Sequence, residues 1–139
     1  MFAECLLLVA SFGMLEASPA PAAAQPTIAM HPVETDIVAW TNAQRTHYGL
    51  APLVVDPYLV DSARRQAAWM TNTRNLTHTN MPVAENIAMG QPTTSQAVGD
   101  WMNSPGHRAN ILNPSYTRIG AAAYTAPDGT VFWCQQFLQ

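Results

Sequence analysis

Two histidines and one carboxylate, His78, Glu85 and His107, stand out in a chain where only 11% of residues are charged and the net charge is −3. Imidazole nitrogens with a carboxylate make a donor set that suits a divalent metal, zinc above all. Three such ligands plus a water form the arrangement of a hydrolytic zinc site. Zinc in that setting lowers the pKa of its bound water far enough to supply hydroxide at neutral pH. No His-Glu-x-x-His run fixes two ligands on one helix face, so any convergence of the three depends on the fold. Around His107, the run Ser104-Pro105-Gly106-His107 places a proline of fixed φ before a permissive glycine, which predicts a sharp corner that aims the ring.

The same residue types allow two other roles. Ser104 three residues before His107 has the types of a nucleophile and its base, although no orienting acid or oxyanion hole can be named beside them. In a purely structural role, Glu85 satisfies backbone N–H groups, Asn86 and Asn110 do similar work, and His107 donates a hydrogen bond to Glu85.

Several elements must position these side chains. Thr35 to His47 predicts a first helix, capped by Thr35 or Asp36, with Val33, Ile37 and Trp40 on one face and Gly49 as its left-handed stop. His47, in its last turn, reads as a surface residue. Leu50 to Val55 is a connector, and Asp56-Pro57 begins a second helix as cap and first helical residue. Leu59, Ala63, Ala67 and Met70 give that helix a core face, while Arg64 and Arg65 read as solvated. From Asn75 to Gln91 no period emerges, so His78 and Glu85 are expected on a loop. Asn75-Leu76-Thr77 is a glycosylation sequon, relevant in a eukaryotic source. Thr93 with Gln96 opens a third helix whose Ala97, Val98 and Trp101 are core, and a short helical turn follows the Pro-Gly corner to Leu112. Ile119–Tyr124 and Thr130–Leu138 read as strands joined by Ala126-Pro127-Asp128-Gly129. Helices followed by a terminal hairpin predict an α+β domain, without repeats.

Composition bounds the rest. A chain of 139 residues that is 48% apolar predicts one domain able to bury its core without disulfides. It contains no lysine, and its six basic residues are scattered arginines, which excludes Walker or Schiff-base lysines and a polybasic nucleic-acid surface. Residues 1–24 read as a signal peptide: Leu6 to Leu15 is an apolar run, and Ala22 and Ala24 flank a cleavage point before Gln25. Glu4 stands where a basic residue is usual. Residues 25–32 read as a linker and 33–139 as the domain, a secreted and monomeric protein with no spanning segment in its mature chain. Cleavage removes Cys5, which leaves Cys134 unpaired as a small buried hydrophobe. Trp40, Trp69, Trp101 and Trp133 are expected in the core rather than on a carbohydrate platform.

Taken in order, these segments resemble the CAP superfamily, or SCP domains, in its short, disulfide-poor bacterial branch. The resemblance covers roughly Val33 to Phe137 and rests on several motifs: Asn42, Arg45, Gly49, Leu50, Pro52 and Leu53; Thr77-His78-Thr79; Glu85-Asn86-Ile87-Ala88; Trp101 to Leu112; Ile119-Gly120; and Trp133 to Phe137. It implies a three-layer α-β-α sandwich around a central antiparallel sheet. It also implies a cleft in which His78, Glu85 and His107 match three of four metal-binding positions. The fourth, three residues after the helix tryptophan, is Ser104 here rather than an acid. Some members of the superfamily bind sterols or fatty acids in grooves away from the histidines. The expectation is therefore a secreted, divalent-metal-binding cleft. An extracellular lipid, sterol or cell-envelope binding module is the alternative, Met70 and Ala88-Met89-Gly90 suiting such a groove, and a metal-dependent hydrolase is less favoured.

Overall fold

The computed structural model describes residues 27–139. The expected signal peptide, Cys5 and the first two residues of the linker lie outside the described residues. The chain runs α1 (Pro32–His47), β1 (Val54–Val55), α2 (Pro57–Thr73), β2 (Ala84–Met89), α3 (Thr94–Met102), α4 (Pro105–Ile111), β3 (Arg118–Thr125) and β4 (Val131–Leu138). The strands form one sheet in the order β1-β3-β4-β2, antiparallel except for the two-residue β1, which pairs parallel with β3.

Strand periodicity divides the core into two layers. Ile119, Ala121, Trp133 and Phe137 face one side, where they pack with Ile37 of α1, Ala97, Val98 and Trp101 of α3, and Ile111 of α4. Ala122, Phe132, Cys134 and Ile87 face the other side and pack with Ala63, Ala67 and Met70 of α2. The result is the expected α-β-α sandwich, with one helix on one face and three on the other. Gly120 sets how closely α2 approaches: a Cβ there would lie 2.1 Å from the Leu59 carbonyl carbon and 2.3 Å from the Val60 nitrogen.

Local chemistry accounts for the element starts. Asp56 caps α2, its Oδ1 accepting from the Tyr58 N–H at 2.8 Å, and Pro57 follows as the first helical residue. Thr93 caps α3 by accepting from the Gln96 N–H at 3.3 Å. Gly129 (φ +87°) closes the β3–β4 turn, and Gly49 (φ +76°) follows α1.

Five expectations need correction. First, α1 begins at Pro32 rather than Thr35, because Pro32 is preset for a first turn and Glu34 reaches back to accept the His31 N–H at 2.8 Å. Second, its buried stripe is Glu34, Ile37, Thr41 and Arg45, which leaves Trp40 46% exposed; Trp69 on α2 is 45% exposed. Polar residues fill that stripe because each has an internal partner. Arg45, for example, donates to the carbonyls of Ala51, Ile111, Asn113 and Tyr116 at 2.8–3.2 Å. Third, Arg64 is not simply solvated, since it forks onto the buried Glu34 at 2.6 and 2.7 Å and also donates to the Ala29 carbonyl. Fourth, Glu85 lies on a strand: Glu85 to Ala88 are buried on both faces of the sheet, which erases the alternation that would have revealed it. Fifth, Pro105 and Gly106 are not a corner but the first turn of α4, and Gly106 has no positive φ.

Two glycine substitutions separate these roles. Gly120→Ala should destabilise the fold by about 3 kcal/mol, because backbone rather than a flexible side chain must yield. Gly106→Ala, with open space at its Cβ, should stabilise it by up to about 1 kcal/mol as a helix residue. Urea unfolding of both variants measures the contrast.

Candidate functional site

β2 is an edge strand, and the candidate site is built around it. Glu85, second residue of β2, is 7% exposed and points to the α2 face, opposite Gln136 of β4. A buried carboxylate is strongly disfavoured unless its lone pairs are satisfied, and here both oxygens are engaged. Oε1 lies 2.8 Å from His78 Nδ1 and accepts the Thr79 N–H at 2.9 Å. Oε2 accepts from Gln136 Nε2 at 2.8 Å and from the Cys134 thiol at 3.6 Å.

The α2–β2 loop delivers His78 to this carboxylate with its side chain 60% exposed. A carboxylate partner at Nδ1 selects the Nδ1–H form of a neutral imidazole, which leaves the lone pair on Nε2 and directs it away from Glu85. A groove of about 470 Å³ opens beside His78, walled by Gln66 and Trp69 of α2 and by Thr77, Asn80 and Met81 of the loop.

His107 arrives from the opposite side, as the third residue of α4. Asn86, next to Glu85 but facing the other side of the sheet, fastens that helix by donating to the His107 carbonyl at 3.0 Å and to Gln135 Oε1 at 2.9 Å. Asn110 donates to Asn86 Oδ1 at 2.9 Å, and Gln135 donates to Thr41 of α1 at 2.9 Å. The expected amide role of Asn86 and Asn110 is therefore real. The expected His107–Glu85 hydrogen bond is not among the hydrogen bonds of the described residues. Glu85 faces α2, and its oxygens are held by His78, Thr79, Gln136 and Cys134. His107 is a partly buried imidazole with its pKa lowered from 6.5, first by burial and then by the electrostatic influence of His78.

Among the described residues, no group of three or more His, Cys, Asp or Glu side chains is arranged to hold a metal ion. Ser104 is the N-cap of α4 and makes no side-chain cap bond. Cys134 is a fully buried thiol, its pKa pushed well above the ordinary value by burial and then by Glu85, which suits an inert core residue. Met70 is also fully buried, whereas Met89 is half exposed on β2.

Sequence reasoning missed Gln136, Gln135 and Thr41. One signal was available: two consecutive glutamines inside the apolar strand Phe132 to Leu138 put one amide on each buried face, and a buried amide needs partners.

A sheet held between one helix and three, with a carboxylate-pinned histidine at its edge strand, defines the class of domain. The chain belongs to the cysteine-rich secretory protein family (CAP), whose sequence pattern matches residues 38–137. It is similar to YkwD of Bacillus subtilis (strain 168), 36% identical over 146 aligned residues that cover 88% of this chain and 56% of that relative, so it spans about half the relative's length. Among solved structures it is similar to an extracellular protein containing an SCP domain from Bacillus anthracis str. Ames, with TM-score 0.69, 23% identity, and 81% of this chain and 45% of that chain covered. It is also similar to NaASP2 solved with Zn²⁺, with TM-score 0.64, 12% identity, and 76% and 78% covered. These likenesses establish the shared fold.

The lowered His107 pKa has a stability consequence. The fold favours the neutral ring, so this contribution is present above 6.5 and is lost as pH falls through the lower folded value. His107→Gln should therefore flatten the loss of Tm on acidification from about pH 7 to about pH 5. Thermal unfolding across that range tests it.

Proposed function

We propose that this chain is an extracellular CAP-domain protein whose cleft takes zinc, or a similar divalent metal, on the imidazoles of His78 and His107. Water or an oxygen of an extracellular ligand completes the coordination. One observation carries the reading: Glu85 Oε1 lies 2.8 Å from His78 Nδ1, and an acceptor there favours the Nδ1–H form of a neutral ring, with the lone pair on Nε2. A carboxylate on the far nitrogen of a histidine is the usual partner of a metal-binding imidazole, because it fixes the ring and raises its basicity. Glu85 thus belongs to the metal set through His78, its own oxygens being occupied by protein donors. The burial that lowers the His107 pKa also favours a ring available to a metal.

With two imidazoles, this donor set fits weak, exchangeable binding better than a closed structural site, which takes four protein ligands. A bound zinc would act as a Lewis acid toward an oxygen ligand. The chain itself supplies orientation through Glu85 and a groove beside His78 that includes Trp69. Secretion is supported by the apolar run from Leu6 to Leu15 and the small residues before Gln25. The similar Bacillus anthracis protein is described as extracellular.

Calorimetric titration with zinc at neutral pH tests the reading. Saturable binding is expected, abolished or weakened at least about tenfold in both His78→Ala and His107→Ala, and weakened about 10- to 100-fold in Glu85→Gln. Affinity should fall on acidification, because an imidazole binds metal only when unprotonated. Absence of binding to the wild type, or binding that survives in both histidine variants, refutes the metal site.

A further inference from the structure

We propose a second ligand site, for a neutral oligosaccharide, in the groove between α1 and the start of α3. It is lined by Asp36, Trp40, Thr93, Ser95, Thr125 and Trp133, among others, and encloses about 480 Å³, within the range of small-ligand clefts.

Trp40 carries most of the argument. Trp101 and Trp133 are 1% and 3% exposed, and their Nε1–H groups donate to the carbonyls of Ile87 and Gln91. Trp40, which lines this groove, instead leaves nearly half of its surface to solvent. An exposed indole offers a broad, rigid, apolar face with a negative π surface. The C–H face of a pyranose ring complements that face, while its rim of equatorial hydroxyls needs polar partners. Asp36 lies four residues before Trp40, on the same helix face, and its carboxylate can accept from two adjacent hydroxyls. Thr93, Ser95 and Thr125 add hydroxyl groups around the groove.

Charge narrows the ligand class. Among the described residues, no arginine lines the groove and Asp36 is its only charged residue; the chain has no lysine. Phosphates, sulfated glycans and fatty-acid carboxylates would meet repulsion without a compensating cation. A quaternary ammonium would want a cage of several aromatic faces, whereas Trp133 is buried and Trp40 stands as a single platform.

The groove is distinct from the histidine edge. Val131 and Trp133 border it at the hairpin end of β4, whereas Glu85 pairs with Gln136, five residues beyond Val131 and about 17 Å along the strand. Trp133 faces the α1–α3 side and Glu85 the α2 side.

The test is an ¹⁵N–¹H titration of the four tryptophan indole signals with chitotriose and with cellotriose. The Trp40 signal, assigned by its loss in Trp40→Phe, should shift saturably with at least one of them, while the Trp69 signal holds still. By calorimetry, Trp40→Ala should weaken that binding by about tenfold, Asp36→Asn should weaken it severalfold, and Trp69→Ala should leave it unchanged. Retained Trp101 and Trp133 indole signals verify that the variants are folded. If neither saccharide moves Trp40, or if palmitate or tetramethylammonium moves it and the saccharides do not, the proposal is overturned.

Discussion

The buried carboxylate of Glu85 is the constraint on which this domain's edge depends. A charge taken out of water is strongly disfavoured unless protein donors replace the lost solvent. Here an imidazole, a backbone N–H, an amide and a thiol surround it. Those donors come from the α2–β2 loop and from β4. One ionic group therefore joins the loop, the edge strand and its neighbour, and fixes the orientation of His78. Loss of the carboxylate would leave several buried donors without acceptors, a larger penalty than the loss of one hydrogen bond.

The two faces of β2 divide the work. Glu85 and Gln136 form a polar pair against α2. One residue along, Asn86 and Gln135 form another on the α1–α4 side, where Asn86 reaches the His107 carbonyl and accepts from Asn110, and Gln135 reaches Thr41 of α1. Strand alternation turns adjacent residues into anchors for two separate layers. The histidines consequently approach the same sheet edge from opposite sides. Gly120 contributes at a distance by letting α2 lie directly on β3.

Much of this frame was readable from local chemistry. Asp56-Pro57, Thr93, Gly49 and the Ala126–Gly129 turn announce their elements, since each solves a backbone problem at its own position. Buried polar residues were harder to read. Glu34, Thr41 and Arg45 occupy positions that a hydrophobicity pattern assigns to apolar side chains, so the buried face of α1 was misplaced and Trp40 with it. β2 stayed hidden because both of its faces are covered. Motif resemblance brought His78, Glu85 and His107 together as a set. That Glu85 contacts His78 and is not hydrogen-bonded to His107 follows from which face of the strand each residue takes, and spacing alone does not give it.

The central claim is that Glu85 holds His78 as the Nδ1–H form with Nε2 free, and long-range ¹⁵N–¹H spectroscopy of the imidazoles at about pH 8 tests it most directly. The account predicts a protonated Nδ1 and an unprotonated, acceptor-type Nε2 for His78 in the wild type. In Glu85→Ala the ring should shift toward the mixture of forms typical of a free imidazole. A His78 that carries its proton on Nε2 in the wild type, or one whose form does not change when Glu85 is removed, would contradict it.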